Sequence, residues 1–91
     1  INGAIVQVIT DPGGTAPTAN YDMTLLDANS VDLMGGSLAN RSDTDTEIAQ
    51  PLVNGNYGAV FTSGAHTLTV SNNAVASATF TVIIYYIAME N

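Results

Sequence analysis

Thr79-Phe80-Thr81-Val82-Ile83-Ile84-Tyr85-Tyr86-Ile87 is the stretch on which the fold turns. It is rich in β-branched and aromatic residues, carries no charge, and has no Gly or Pro to interrupt it. In an extended chain Phe80, Val82, Ile84 and Tyr86 share one face, and Ile83, Tyr85 and Ile87 share the other. Both faces are apolar over the second half. Such a strand belongs in the middle of a sheet or beneath another chain. At an open edge it would template aggregation, because no Lys or Pro guards it. The expectation is therefore a mid-sheet strand whose far end lies in a subunit contact, with Tyr85, Tyr86 and Ile87 as interface residues.

The segments before it read the same way. His66-Thr67-Leu68-Thr69-Val70 alternates, with Leu68 and Val70 inward, and the Ser71–Ser77 loop has Asn72-Asn73 at its tip. Leu52-Val53 runs into the turn dipeptide Asn54-Gly55, and Tyr57–Phe61 is a further strand candidate. Ile5–Thr10 is β-branched and ends at Asp11-Pro12-Gly13-Gly14. Tyr21–Asp27 places Tyr21, Met23 and Leu25 on one face, and Val31–Met34 is read as its hairpin partner before Gly35-Gly36. Ser37–Gln50 is the most polar stretch; Thr44 and Glu47 have capping-box spacing and predict a helical turn there. Six or seven short strands and no long helical period predict an all-β domain over 1–91, a small antiparallel β-sandwich or jelly roll. The chain opens on Ile1 rather than Met, which predicts processing or a missing native N-terminal segment.

The composition offers little chemistry. The 91 residues include one Arg, no Lys, no Cys, one His and eight acidic residues, for a net charge of −7. Activated nucleophiles, proton shuttles and charge-stabilising cations mostly come from the types that are scarce here, so an enzyme is not expected. A single Arg cannot replace the counterions of DNA, nor hold an anionic membrane surface. With no Cys there are no disulfides, and a chain this small then needs an idealised core, an ion or oligomerisation. Oligomerisation is the choice the terminal strand favours.

Few residues are candidate sites. Asp43, Asp45 and Glu47 alternate and form a weak candidate for a hard cation, but the loop lacks the EF-hand glycine and ligand order; no metal or cofactor is expected. Asp27–Asp32 reads as a turn built on Asx backbone preferences, although its oxygens also resemble a ligand loop. His66 has no second His or Cys to work with. Arg41 is expected to pair with Asp43 or Asp45, or to reach across a subunit contact, and so joins the interface residues. Tyr21, Tyr57, Tyr85 and Tyr86 suit core packing, an interface or a sugar-binding platform.

Asp11-Pro12-Gly13-Gly14-Thr15-Ala16-Pro17-Thr18-Ala19-Asn20-Tyr21-Asp22-Met23-Thr24-Leu25-Leu26-Asp27, then Val31-Asp32-Leu33-Met34-Gly35-Gly36 and Leu38-Ala39-Asn40-Arg41, resembles small virion structural proteins of tailed bacteriophages. The closing Thr67-Leu68-Thr69-Val70, Asn72-Asn73 and Tyr-Tyr strand is similar too, so the likeness spans most of the chain. Where that family's turn after Leu-Leu-Asp carries Asp-Gly, this chain has Ala28-Asn29-Ser30, which argues against a shared ion-binding loop. The resemblance implies a capsid cement or decoration protein on the outer capsid surface of the virion. Its partners would be the major capsid protein and its own copies, as a homotrimer, with no nucleic acid and no membrane. A tail, baseplate or fibre module and a carbohydrate-binding β-sandwich are the alternatives.

Overall fold

A computed structural model describes residues 1–89. Eight strands form, with no helix among the described residues: β1 (Gly3–Pro12), β2 (Asp22–Leu26), β3 (Glu47–Ala49), β4 (Leu52–Val53), β5 (Asn56–Tyr57), β6 (Val60–Thr62), β7 (Thr67–Ser71) and β8 (Phe80–Ala88). All pairings are antiparallel.

β1 is the spine. Its β-branched run, Ile5, Val6, Val8, Ile9 and Thr10, favours an extended backbone. One edge pairs along its whole length with β8, from Gly3↔Ala88 to Pro12↔Phe80. The other edge is shared, by β6 at Gly3–Ile5 and by β3 at Val8–Thr10. A bulge interrupts the β1–β8 register between Ile5 and Gln7, opposite Tyr86 and Tyr85, and leaves Val6 as the extra residue. Ile5 and Val8 are three apart, so a regular strand would send them to opposite faces. The bulge lets both point into the core, where both are fully buried.

β2 pairs with β7, matching Met23 with Val70 and Leu25 with Leu68. The other edge of β2 is satisfied by the segment that follows it. Leu33 N–H donates to the Leu25 carbonyl, Met23 N–H to the Leu38 carbonyl, and Arg41 N–H to the Tyr21 carbonyl. Tyr21, Met23, Leu25, Leu33, Met34 and Leu38 thereby join Ile5, Val8 and Ala49 in one core, against which Val60, Val70, Phe80, Val82 and Ile84 pack. The Tyr21 and Phe80 rings lie 5.7 Å apart in a tilted pair.

Three expectations are corrected. β8 is not mid-sheet: among the described residues β1 is its only partner, so β8 is an edge strand. Hydrophobic periodicity reports the faces of a strand and says nothing of how many neighbours it has. There is no helical turn near Thr44. The Ser42 Oγ accepts from the Thr44 and Asp45 amides, and the chain then extends as β3 so that Glu47 lies opposite Thr10. Val31–Met34 is no hairpin strand either; it makes one bridge, Leu26↔Asp32, and then turns. Asp32 drives that turn, because its carboxylate accepts from the amides of Leu25, Met34 and Gly36. Gly35 closes it at φ +61°, where a β-carbon would collide with the Leu52 carbonyl. The Asn54-Gly55 turn forms as read, with both residues at positive φ between β4 and β5.

Gly35→Ala should lower unfolding free energy by about 1–3 kcal/mol, the cost of a strained αL residue; an unchanged urea midpoint would contradict the close approach. Asp22 accepts from the Asn40 amide at 2.9 Å and from the Asn72 side chain, and these bonds hold its carboxyl below the usual range. A depressed native pKa adds stability above the unfolded value, and that stability is lost as pH falls through the native one. Asp22→Ala should therefore lower the thermal midpoint at neutral pH and flatten its decline between about pH 4 and pH 2. Parallel pH profiles for the two proteins would refute this.

Candidate interaction surface

Several polar side chains are spent on the fold. Asp27 Oδ1 accepts from the Asn29 and Val31 amides, so the Asp27–Asp32 loop spends its oxygens on its own backbone. Asp45 is exposed, Asp43 half-buried, and Glu47 Oε1 accepts from the Ser42 amide at 2.6 Å. No group of three His, Asp or Glu side chains gathers around a metal-sized space among the described residues. His66 Nε2 shares a hydrogen bond of 2.6 Å with Thr62 Oγ1.

Arg41 has a different partner from those expected. Its Nε lies 4.0 Å from Glu47 Oε1, and the side chain is only 11% exposed. Its Nη2 donates to the Ser37 and Ala39 carbonyls. The guanidinium thus closes the 37–41 loop on itself and ties it to β3. Sequence proximity favoured Asp43 and Asp45, but the strand pairing of Glu47 with Thr10 brings the more distant acid back. Arg41, Ser37, Ile48, Ala49, Gln50 and Tyr57 line an open cleft of about 370 Å³. The Arg41 Nη1 and Ser37 Oγ atoms are buried without partners, but neither is open to solvent. Arg41 lies beside Glu47 of β3 and bridges Tyr21, and no hydrogen bond or ion pair links it to Tyr85, Tyr86 or Ile87 among the described residues.

Tyr21 is a core residue. Burial pushes its phenol up, while the Thr10 hydroxyl and the Arg41 charge act the other way. Its hydroxyl is buried with no hydrogen-bond partner, and Thr10 does not meet bonding geometry with it.

The unspent surface lies on the sheet. Antiparallel partners share a face, so the register puts Phe61, Ala4 and Ile87 in one row, Gln7 and Tyr85 in the next, and Ile48, Ile9 and Ile83 in a third. This face points away from the core, and no layer covers it among the described residues. Phe61 is 74% exposed, Ile48 64%, Ile87 63%, Tyr85 46% and Ile83 40%. At about 200 Å² per large side chain, these leave roughly 550 Å² of apolar surface in one patch, at the upper end for a monomer. Its only charged residue is Asp11, in the row of Thr81 at the far end. Tyr86 belongs to the core-facing side, opposite Ile5, but lies at the sheet margin and stays 46% exposed. The sequence pointed to the β8 part of this patch. It missed Phe61 and Ile48, whose strands are three residues long and show no usable alternation.

No family model, no curated protein and no solved structure matches the chain.

The clamp role of Arg41 predicts that Arg41→Ala loses about 2 kcal/mol of stability, in the range for hydrogen bonds from a charged donor, while the folded fraction sediments as wild type does. Unchanged stability with altered sedimentation would instead assign Arg41 to a subunit contact. Tyr21→Phe should be neutral or gain up to about 1 kcal/mol, because it removes a buried hydroxyl that lacks a partner. A loss of that size in chemical denaturation would show the hydroxyl to be bonded.

Proposed function

We propose that this chain is a non-enzymatic virion structural protein, a cement or decoration protein that seats on the outer surface of a shell of major capsid protein and stabilises it. The observation that carries the reading is the apolar face of the four-stranded sheet, with Asp11 its one charge, in a chain of net charge −7. A face of that size is often an interaction surface. The acidic remainder is repelled by packaged nucleic acid, which favours a position outside the shell. The resemblance of the Asp11–Asp27 and Val31–Arg41 segments to phage virion proteins supports the same reading. So do the Asp27 and Asp32 carboxylates, which are spent on the amides of their own loop. In its finer form the fold is a two-layer sandwich of the jelly-roll kind, with β2–β7 and the 33–38 segment as the smaller layer.

Quantitative mass spectrometry of purified particles tests the proposal. A cement protein is present near stoichiometry with the shell protein, and particles stripped of it lose thermal stability. A handful of copies per particle would point to a tail, baseplate or fibre part, and complete absence would end the virion reading.

A further inference from the structure

We propose that two copies of this chain pair antiparallel through the free edges of β8, joining two four-stranded sheets into one continuous sheet about a two-fold axis. β8 is nine residues long and pairs on one side only. No hydrogen bond from its second edge to any other described residue is formed. None of the devices that protect a natural edge is present: the strand has no Lys, no Pro and no inward charge, and the one bulge lies in β1.

Charge does not bar a second copy at this edge. Two chains of net charge −7 repel over most of their surface. β8 carries no charge at all, so it is where two copies meet without that cost. A strand edge is also self-complementary, since antiparallel main-chain bonding to its own copy satisfies the same groups on both sides.

The size is sufficient. A register centred on Ile84 pairs all nine residues and forms about eight to ten main-chain hydrogen bonds, as many as a typical specific interface holds. Ile83, Tyr85, Tyr86 and Ile87 are each 40% exposed or more. Edge pairing leaves these side chains on the sheet faces, where facing pairs pack only flank to flank, so the main-chain bonds carry the contact. Both outer faces then lie on one side of the joined sheet, which doubles the apolar patch.

The contact closes on itself. The opposite edge of the sheet is split between β3 and β6, each three residues long, and β3 carries Glu47. β7 offers only five residues, mostly Thr and Ser. Pairing therefore consumes the one long edge, so growth stops at two copies and no fibre forms. The inference concerns the isolated chain; absence from particles would leave it standing, and a monomer in solution would leave the particle reading to be judged on particles.

In the centred register Ile83 faces Tyr85 of the other copy, about 4.5–5.5 Å away between Cα atoms, within disulfide reach. The chain has no Cys of its own, so cross-links report only the introduced thiols. Analytical ultracentrifugation of wild type should show a dimer that dissociates on dilution, and Ile83→Lys should be a folded monomer. Ile83→Cys chains mixed with Tyr85→Cys chains under mild oxidation should form at least roughly tenfold more disulfide dimer than Ile83→Cys mixed with Thr69→Cys on β7, given the narrow Cα span a disulfide tolerates. A wild-type monomer at every concentration, a trimer, or equal cross-linking in the two mixtures would overturn the proposal.

Discussion

Everything in this fold hangs on the pairing of β1 along both its edges. One edge is taken by a single long neighbour, β8, and the other by two short ones, β6 and β3. That asymmetry makes the rest necessary. The bulge at Val6 is what turns Ile5 and Val8 to the same side, and their burial recruits Met23, Leu25 and the 33–38 segment as a cover. The cover is large enough for one face of the sheet. The opposite face remains bare, and β8 remains open along its outer side.

The acidic residues are best understood through the backbone. A small β domain has many turns, and each turn leaves amides without ladder partners. Asp27, Asp32, Asp22 and Glu47 supply the missing acceptors, to the amides of residues 29 and 31, of 25, 34 and 36, of 40, and of 42. Arg41 does the converse, donating to two carbonyls of its own loop. Four of the eight acidic residues serve as acceptors in this way.

Much of the architecture was legible from side-chain alternation. Tyr21, Met23 and Leu25 share a buried face as read, Phe80, Val82 and Ile84 share one face as read and pack on the core, and Asn54-Gly55 turns where its dipeptide says. What failed was whatever depends on long-range partners. The faces of β8 were readable, but its number of neighbours was not, because nothing in a strand's own sequence reports which edges are occupied. The burial of Met34 and Leu38 was hidden by Gly35, Gly36 and polar neighbours, since their periodicity is that of a turn. The Arg41 partner was missed because strand pairing, not chain distance, brings Glu47 home. Phe61 and Ile48 escaped notice for the related reason that a three-residue strand has too few positions to show a period.

With two occupied edges, β1 should be the most strongly held segment in the molecule. Native-state hydrogen exchange by NMR measures this amide by amide. The amides of Ala4 through Thr10 that lie in the β1 ladders should exchange only through global unfolding, on both edges of the strand, and more slowly than those of β2 and β7. If β1 amides instead exchange through local fraying while another strand sets the global limit, β1 is not the spine, and both the bare face and the open edge lose their structural basis.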